Sequence, residues 1–454
     1  MQFCRVAAML YLSIPGARCQ MPLKKKDGSA AGWRKNLQIC RWLWYDMTYP
    51  HARCARALGR ERERGMDAHF EISPAVAALL GRATAHRRAL HRIPEPGHEE
   101  VRTQAYVMAA LSALSPDALS PCAGTGVRAV FRGQGGRAVA FRADMDALPV
   151  QEPAGCGFES EHPGMMHACG HDGHMACLLT LAELIASRRA SLPGDVTLLF
   201  QPAEETDGGA RLMIADGALE DPHVEAVYGM HLMPDVPLGR VGTGEGPLMA
   251  QTSEIDVIIE GRASHGAMPH LGADALCAAG HFACLVQAGL SRRTDPTVPA
   301  LVTFGRMCAG TQRNVLAAQA VLEGVVRTLS DDAYARVRAL LEDCMRATEA
   351  AFGVACTLEE RTFYPCVVND PTETARVRAL LGDAYVPQRP RMTAEDFSFY
   401  QRERPGVFVM CGCGDAAHTA PLHASGFGFD ERALLYGVEL FARLAGVIAP
   451  DGEH

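Results

Sequence analysis

Residues 195–205 read DVTLLFQPAEE, a near-continuous apolar run closed by a proline and two adjacent glutamates. A run without the alternation of a half-exposed strand belongs to a strand covered on both faces. A helical pattern over 171–187 precedes it and another follows from about residue 208. Helices alternating with buried strands predict an α/β sheet with helices on both sides. Ligands bind such sheets beyond the carboxyl ends of the strands. Glu204 and Glu205 therefore stand where chemistry is expected.

Working outward, residues 75–92 and 101–114 read as helices. VRAVFR (127–132) and AVAFRADMD (138–146) read as strands joined by GQGG in a hairpin-like turn. The pattern changes near residue 251. SEIDVIIEG (253–261) alternates, residues 272–291 read as helix, and strands follow at 299–307 and 319–327. Helix 331–352 and strand 355–363 complete a β-α-β-β-α-β order, that of a ferredoxin-like module. RMTAEDFSFY, GVFVMCGCG and a helix over 430–447 then resume α/β character. The expected organisation is one α/β domain, 66–250 with 364–454, interrupted by a smaller domain at 251–363.

The first 65 residues differ from the rest. All four lysines and all three tryptophans fall there, with 13 Lys and Arg against four Asp and Glu. That is +9 in a chain of net charge −8, which leaves −17 beyond it. A targeting signal and a basic extension binding an acidic partner are two readings. The favoured one makes Met66 the working start, the upstream stretch being disordered or absent from the working protein.

The chain has 454 residues, 48% of them hydrophobic and 21% charged, enough for two domains with a sizeable core. No run of eighteen apolar residues is present, so no membrane span is expected. The acidic net charge argues against a nucleic-acid partner. Sixteen scattered cysteines without paired spacing point to free thiols in a reducing compartment, hence the cytoplasm.

PGMMHACGHDGHMACLL (163–179) crowds three histidines and a cysteine at a helix start. Cys169 and His171, two apart, can be aimed the same way, and a helix N-terminus favours a thiolate there. His231 and His423 follow short apolar or Gly-rich stretches elsewhere. Asp144 and Asp146 close a strand and are placed to orient ligand imidazoles. By residue type alone the cluster suits either a metal site or a thiol nucleophile.

RADMDALPVQE, MHACGHDGHMACLL, FQPAEE, GMHLMPDVPLG, GRASHGAMPH, MTAEDFSFY and PLHASGFGFDE occur in that order. Together they make residues 70–447 resemble the metal-dependent aminoacylase/carboxypeptidase family, in the branch of hippurate hydrolase, N-acyl-amino-acid amidohydrolases and auxin-conjugate hydrolases. The resemblance implies a zinc-peptidase-like mixed sheet with an inserted lid and dimerisation domain, and two divalent ions (Mn, Zn, Co or Ni). It implies that Cys169 bridges them, with His171 and His231 on one ion and Glu205 and His423 on the other. Glu204 matches the general base. His265 matches a histidine that polarises the scissile carbonyl, in some relatives across a dimer, and Asn314 matches a residue facing the substrate. The implied substrate is a small N-acyl amino acid and the implied assembly a homodimer.

Two departures stand out. The chain reads Asn314-Val315-Leu316-Ala317 where many relatives have proline last, and it has aspartate at Asp144 where other branches carry a ligand histidine. His167 and His174 match no ligand and read as structural or solvated. A dipeptidase on the same site, a thiol hydrolase using Cys169 and a non-catalytic ligand-binding relative are the competing readings.

Overall fold

The structure is a computed structural model, and it describes residues 68–449. The expectation for residues 1–65 lies outside the described residues.

In chain order the strands are β1 (Ala118–Cys122), β2 (Gly126–Phe131), β3 (Gly136–Asp144), β4 (Gly194–Gln201), β5 (Ala226–Pro237), β6 (Val241–Thr243), β7 (Gly246–Met249), β8 (Gln251–Glu260), β9 (Ala300–Ala309), β10 (Gln319–Thr328), β11 (Ala355–Tyr364), β12 (Val367–Asn369), β13 (Tyr385–Pro387) and β14 (Gly406–Gly414). Eight of them form a mixed sheet in the order β1-β2-β4-β3-β5-β14-β6-β13. The four central strands, β4, β3, β5 and β14, run parallel, so their carboxyl ends share one edge. From Val196 to Gln201 every residue of β4 is buried, as its unbroken apolar run predicts.

Helices cover both faces. On one side the helices Leu80–His91, His171–Ser187 and Ala433–Leu444 pack together over the largest apolar core. On the other, Gly209–Ala215 and Ser398–Glu403 cover a second core that includes Met213, Phe397 and Phe408. The helix expected over 75–92 is two pieces, Pro74–Ala77 and Leu80–His91.

The hairpin expected across GQGG does not form. β4 lies between β2 and β3, antiparallel to the first and parallel to the second. The connection instead crosses the start of β4 in backbone contact. A Cβ on Gly133 would stand 2.3 Å from the Gly194 carbonyl oxygen, and one on Gly194 would stand 2.0 Å from that of Arg137. The glycines thus serve a close crossing rather than a two-strand turn, and β4, apolar on both faces, takes the interior position.

β8, β9, β10 and β11 form a separate antiparallel sheet in the order β11-β8-β10-β9. Helices Ala275–Arg293 and Asp331–Phe352 pack on one face of it around Val257, Ile259, Phe282, Leu322 and Leu341. Ser330 caps the second helix by accepting from the Ala333 N–H, and Gly353 ends it at φ 65°. This is the ferredoxin-like module inserted in the α/β fold.

Candidate active site at the carboxyl edge of the sheet

Each parallel central strand delivers a side chain to one place. β3 ends in Asp144, with Asp146 just beyond it, and β4 runs into Glu204 and Glu205. His231 lies within β5 rather than after a short strand, and the loop following β14 carries His423. Cys169 and His171 sit at the start of the helix His171–Ser187, separated by Gly170 at φ 88°. That left-handed residue suits glycine and turns both flanking side chains toward the strand ends.

Cys169 is the shared corner of two triads. Its Sγ is 3.3 Å from His231 Nε2 and 3.2 Å from His423 Nε2. Ligating atoms of Cys169, His171 and His231 lie within 4.8 Å of one another, and so do those of Cys169, Glu205 and His423. Glu205 Oε1 stands 3.2 Å from His423 Nε2 and 4.0 Å from His171 Nε2.

Hydrogen bonds fix how the rings present themselves. His171 Nδ1 faces the Asp146 carbonyl at 2.9 Å and donates there, which turns its Nε2 inward. That buried Nε2 has no hydrogen-bond partner, and Glu205 Oε1 has the ion-pair contact with His423 Nε2 at 3.2 Å. His231 Nδ1 similarly donates to the Leu232 carbonyl at 2.9 Å, which turns its Nε2 to Cys169. Two inward imidazole nitrogens and the Glu205 carboxylate around a thiol form a donor set suited to divalent cations.

Electrostatics agree. Asp144, Asp146, Glu204, Glu205, Glu395 and Asp396 surround the site with Arg142 as the buried guanidinium among them. Burial opposes a charge on His171, but Asp144, Asp146 and Glu205 outweigh it and hold its pKa up at about 10. The pocket draws in a proton where a cation would satisfy the same field. Burial, then Glu205 and Glu204, push the Cys169 thiol well above its usual value. That disfavours a free nucleophilic thiolate, whereas a coordinated ion would deprotonate the thiol outright.

Glu204 is buried beside Glu205, and burial followed by Glu395 raises its pKa well above the ordinary value. Its loop is tightly held. Ala203 takes φ 55°, the Glu205 N–H donates to Asp146 Oδ2 at 2.9 Å, and the Ala203 N–H donates to Glu100 Oε1 at 2.8 Å. Tyr364, at the end of β11, donates to the Glu204 carbonyl at 3.1 Å.

Behind the triads lies a network that the sequence reading did not assign. Arg142 donates to Gln201 at 2.9 Å, Asp144 at 2.7 Å and Asp396 at 2.8 Å, and lies 3.0 Å from Glu395. His174, expected to be structural or solvated, is buried. It accepts from the Leu232 N–H at 2.9 Å and so donates from Nδ1 to Asp144 at 2.6 Å as a neutral ring. His167 is also buried, with neither ring nitrogen hydrogen-bonded to a described residue.

A cleft of about 290 Å³ opens over Cys169, Glu204, Glu205, His231 and His423. Met233, Met249, Phe408, Met410 and Leu422 supply its apolar lining. Arg327 of β10 also lines it, half-buried and without a hydrogen bond to any described residue; burial lowers its pKa while Glu254 acts to raise it. His265 and Asn314 do not line this cleft. They lie on adjacent loops of the module, where the Gly266 N–H donates to the Asn314 carbonyl at 2.8 Å, and both are exposed.

Residues 140–446 match the model of peptidase family M20/M25/M40. An N-acetyldiaminopimelate deacetylase of Exiguobacterium sibiricum is 36% identical over 358 residues, 78% of this chain and 96% of that protein. An N-acetylcysteine deacetylase of Bacillus subtilis is 37% identical over 367 residues, 80% of this chain and 95% of that protein. Among solved structures, the Bacillus subtilis YXEP protein, described as a dinuclear metal-binding peptidase of the M20 family, superposes with a TM-score of 0.71. It is 34% identical, covering 81% of this chain and 98% of its own.

Proposed function

The chain belongs to peptidase family M20/M25/M40, and from that premise we propose that it is a two-metal amidohydrolase cleaving N-acyl amino acids to a carboxylate and a free amino acid. The observation that carries the reading is Cys169, common corner of two donor triads in a cleft that also holds Glu204. Cys169, His171 and His231 would hold one divalent ion and Cys169, Glu205 and His423 the other. Asp146 fixes His171 through its carbonyl, and Asp144 and His174 brace the same wall. Bound there, such ions supply Lewis acidity, lowering the pKa of water from about 16 towards about 7 and polarising a carbonyl.

Glu204 is the general base. Its carboxylate takes a proton from the attacking water and passes it to the departing amine nitrogen. Arg327 supports an amino-acid substrate, because an unpaired guanidinium on the cleft wall is a partner for a free carboxylate. The methionine, phenylalanine and leucine lining suits the acyl group, from acetyl to the benzoyl of hippurate. The relatives named above are called N-acetyl deacetylases, which favours this class over dipeptides.

His265 and Asn314 enter the reaction when the module of a second copy, or closure of this one, brings them to the cleft. Exposed Met268, Leu271, Leu301 and Val315 on that module, and the open edge of β9, support a homodimer formed there. Among the described residues no helix is long and apolar enough to cross a membrane.

The test is a substrate panel of N-acetyl amino acids, hippurate and dipeptides offered to the metal-loaded full chain. Turnover confined to N-acyl amino acids bears the reading out. Cleavage of dipeptides alone moves the assignment to a dipeptidase, and binding without turnover moves it to a non-catalytic relative.

A further inference from the structure

A second group of ligating side chains lies apart from the Cys169 cluster. His91, the last residue of the helix Leu80–His91, is buried. Its Nδ1 is 2.8 Å from Asp172 Oδ2 and its Nε2 is 2.9 Å from Glu152 Oε1. Cys156 Sγ is 3.6 Å from that same Glu152 oxygen. One nitrogen, one oxygen and one sulfur thus lie within 4.8 Å of one another. They line an open cleft of about 450 Å³, distinct from the one above Glu204.

Each donor is pre-aimed. A carboxylate behind a histidine, as Asp172 stands behind His91, orients the ring and raises its basicity toward a metal. The other Glu152 oxygen accepts from the Ser160 N–H at 2.7 Å, so Oε1 faces inward. Cys156 sits between Gly155 at φ 130° and Gly157 at φ 83°, and both of those N–H groups donate to Glu159 Oε1, at 2.6 and 3.1 Å. The cations on the wall have partners of their own, Arg87 sharing Asp172 Oδ2 with His91. Arg87 bonds Asp172 at 3.3 Å and lies 3.7 Å over the Phe429 ring, and Arg88 pairs with Glu431 at 2.8 Å.

We propose that His91, Glu152 and Cys156 bind a thiophilic divalent cation of the zinc class, separate from the Cys169 cluster, which staples the 151–160 loop to the helix Leu80–His91. Nitrogen, carboxylate and thiolate ligands about 2.0–2.3 Å from one ion fit donors spaced as these are. The remaining coordination position faces the cleft. Binding releases to solvent both the Cys156 thiol proton and the His91 Nε2 proton now donated to Glu152, as the sulfur–metal and nitrogen–metal bonds form.

The test is zinc protection of Cys156 from alkylation. Full chain kept in excess manganese is titrated with zinc and treated with iodoacetamide, and each cysteine is followed by peptide mass spectrometry. Cys277, Cys284 and Cys308, also exposed, are the internal controls. Zinc is expected to slow Cys156 alkylation severalfold without protecting the controls, because the thiolate that would be alkylated is held by the ion. Glu152→Gln should remove the protection, while Glu205→Gln, which alters the other cluster, should keep it. Equilibrium dialysis should give one zinc fewer per chain for Cys156→Ser. Unchanged alkylation with zinc, protection that survives Glu152→Gln, or protection lost in Glu205→Gln would each overturn the proposal.

Discussion

Glu205 Oε1 lies 3.2 Å from His423 Nε2, joining the loop after β4 to the loop after β14 beside the Cys169 thiol. The two residues are far apart in sequence and meet because β4 and β14 run parallel, so both loops leave the same edge of the sheet. Much of the site's behaviour follows from that convergence of strand ends.

Glu204 is the residue whose loss separates chemistry from binding. Glu204→Gln keeps the shape of the cleft and both donor triads but removes the proton acceptor. The expected result is a fall in kcat of about 10²–10⁴ with metal content unchanged, measured by turnover and elemental analysis of one sample.

Arg327 bears on substrate class. Arg327→Met is expected to cost about 1.5–3 kcal/mol of transition-state binding for an N-acyl amino acid, roughly a 10- to 150-fold loss in kcat/KM. The corresponding N-acyl amino amide, which has no carboxylate, should be nearly indifferent to the change. Equal losses on both substrates would remove the carboxylate role.

Arg142 is a buried cation held by Asp144, Glu395 and Asp396. Arg142→Met leaves those carboxylates uncompensated, and breaking such a cluster typically costs about 3–5 kcal/mol. Urea unfolding of the two proteins side by side measures it. A loss under about 1 kcal/mol would mean that the network is not holding the strand ends together.

Glu373 gives a pH test away from the site. Burial opposes its charge, but hydrogen bonds from Arg137 and Tyr228 outweigh that and hold its pKa below the usual carboxylate value. A depressed folded pKa stabilises the protein above the unfolded pKa of about 4.3, and the contribution is lost as pH falls through the folded value. Glu373→Gln should therefore be less stable than the parent by about 1–2 kcal/mol at pH 7. The gap should close below about pH 4, as urea melts at the two pH values would record.

Legibility in the sequence followed locality. The unbroken apolar run of β4 and the helix from His171 were readable because periodicity is local, and the ferredoxin-like order followed from element order alone. The GQGG connection misled because glycines that permit a tight turn also permit a close crossing, and only the position of β4 distinguishes the two. Arg142 was not readable as a buried hub. An arginine in a strand looks like an edge residue until Glu395 and Asp396 arrive from 250 residues away. His174 is not readable as a buried link because its partners, Asp144 and the Leu232 N–H, belong to two strands outside its own helix. His91, Glu152 and Cys156 carry no spacing motif, and only the fold brings them together.

The most direct test of the two-metal account is to strip the full chain with a chelator and restore manganese or zinc stepwise. Hydrolysis of an N-acetyl amino acid and metal content at each step are then compared with those of Cys169→Ser. The account predicts that activity vanishes on stripping and returns as the cluster fills with two ions. Cys169→Ser should lose affinity for both ions together, because its thiol is common to both triads. Activity that survives complete metal removal yet disappears in Cys169→Ser would contradict the account and make Cys169 a nucleophile.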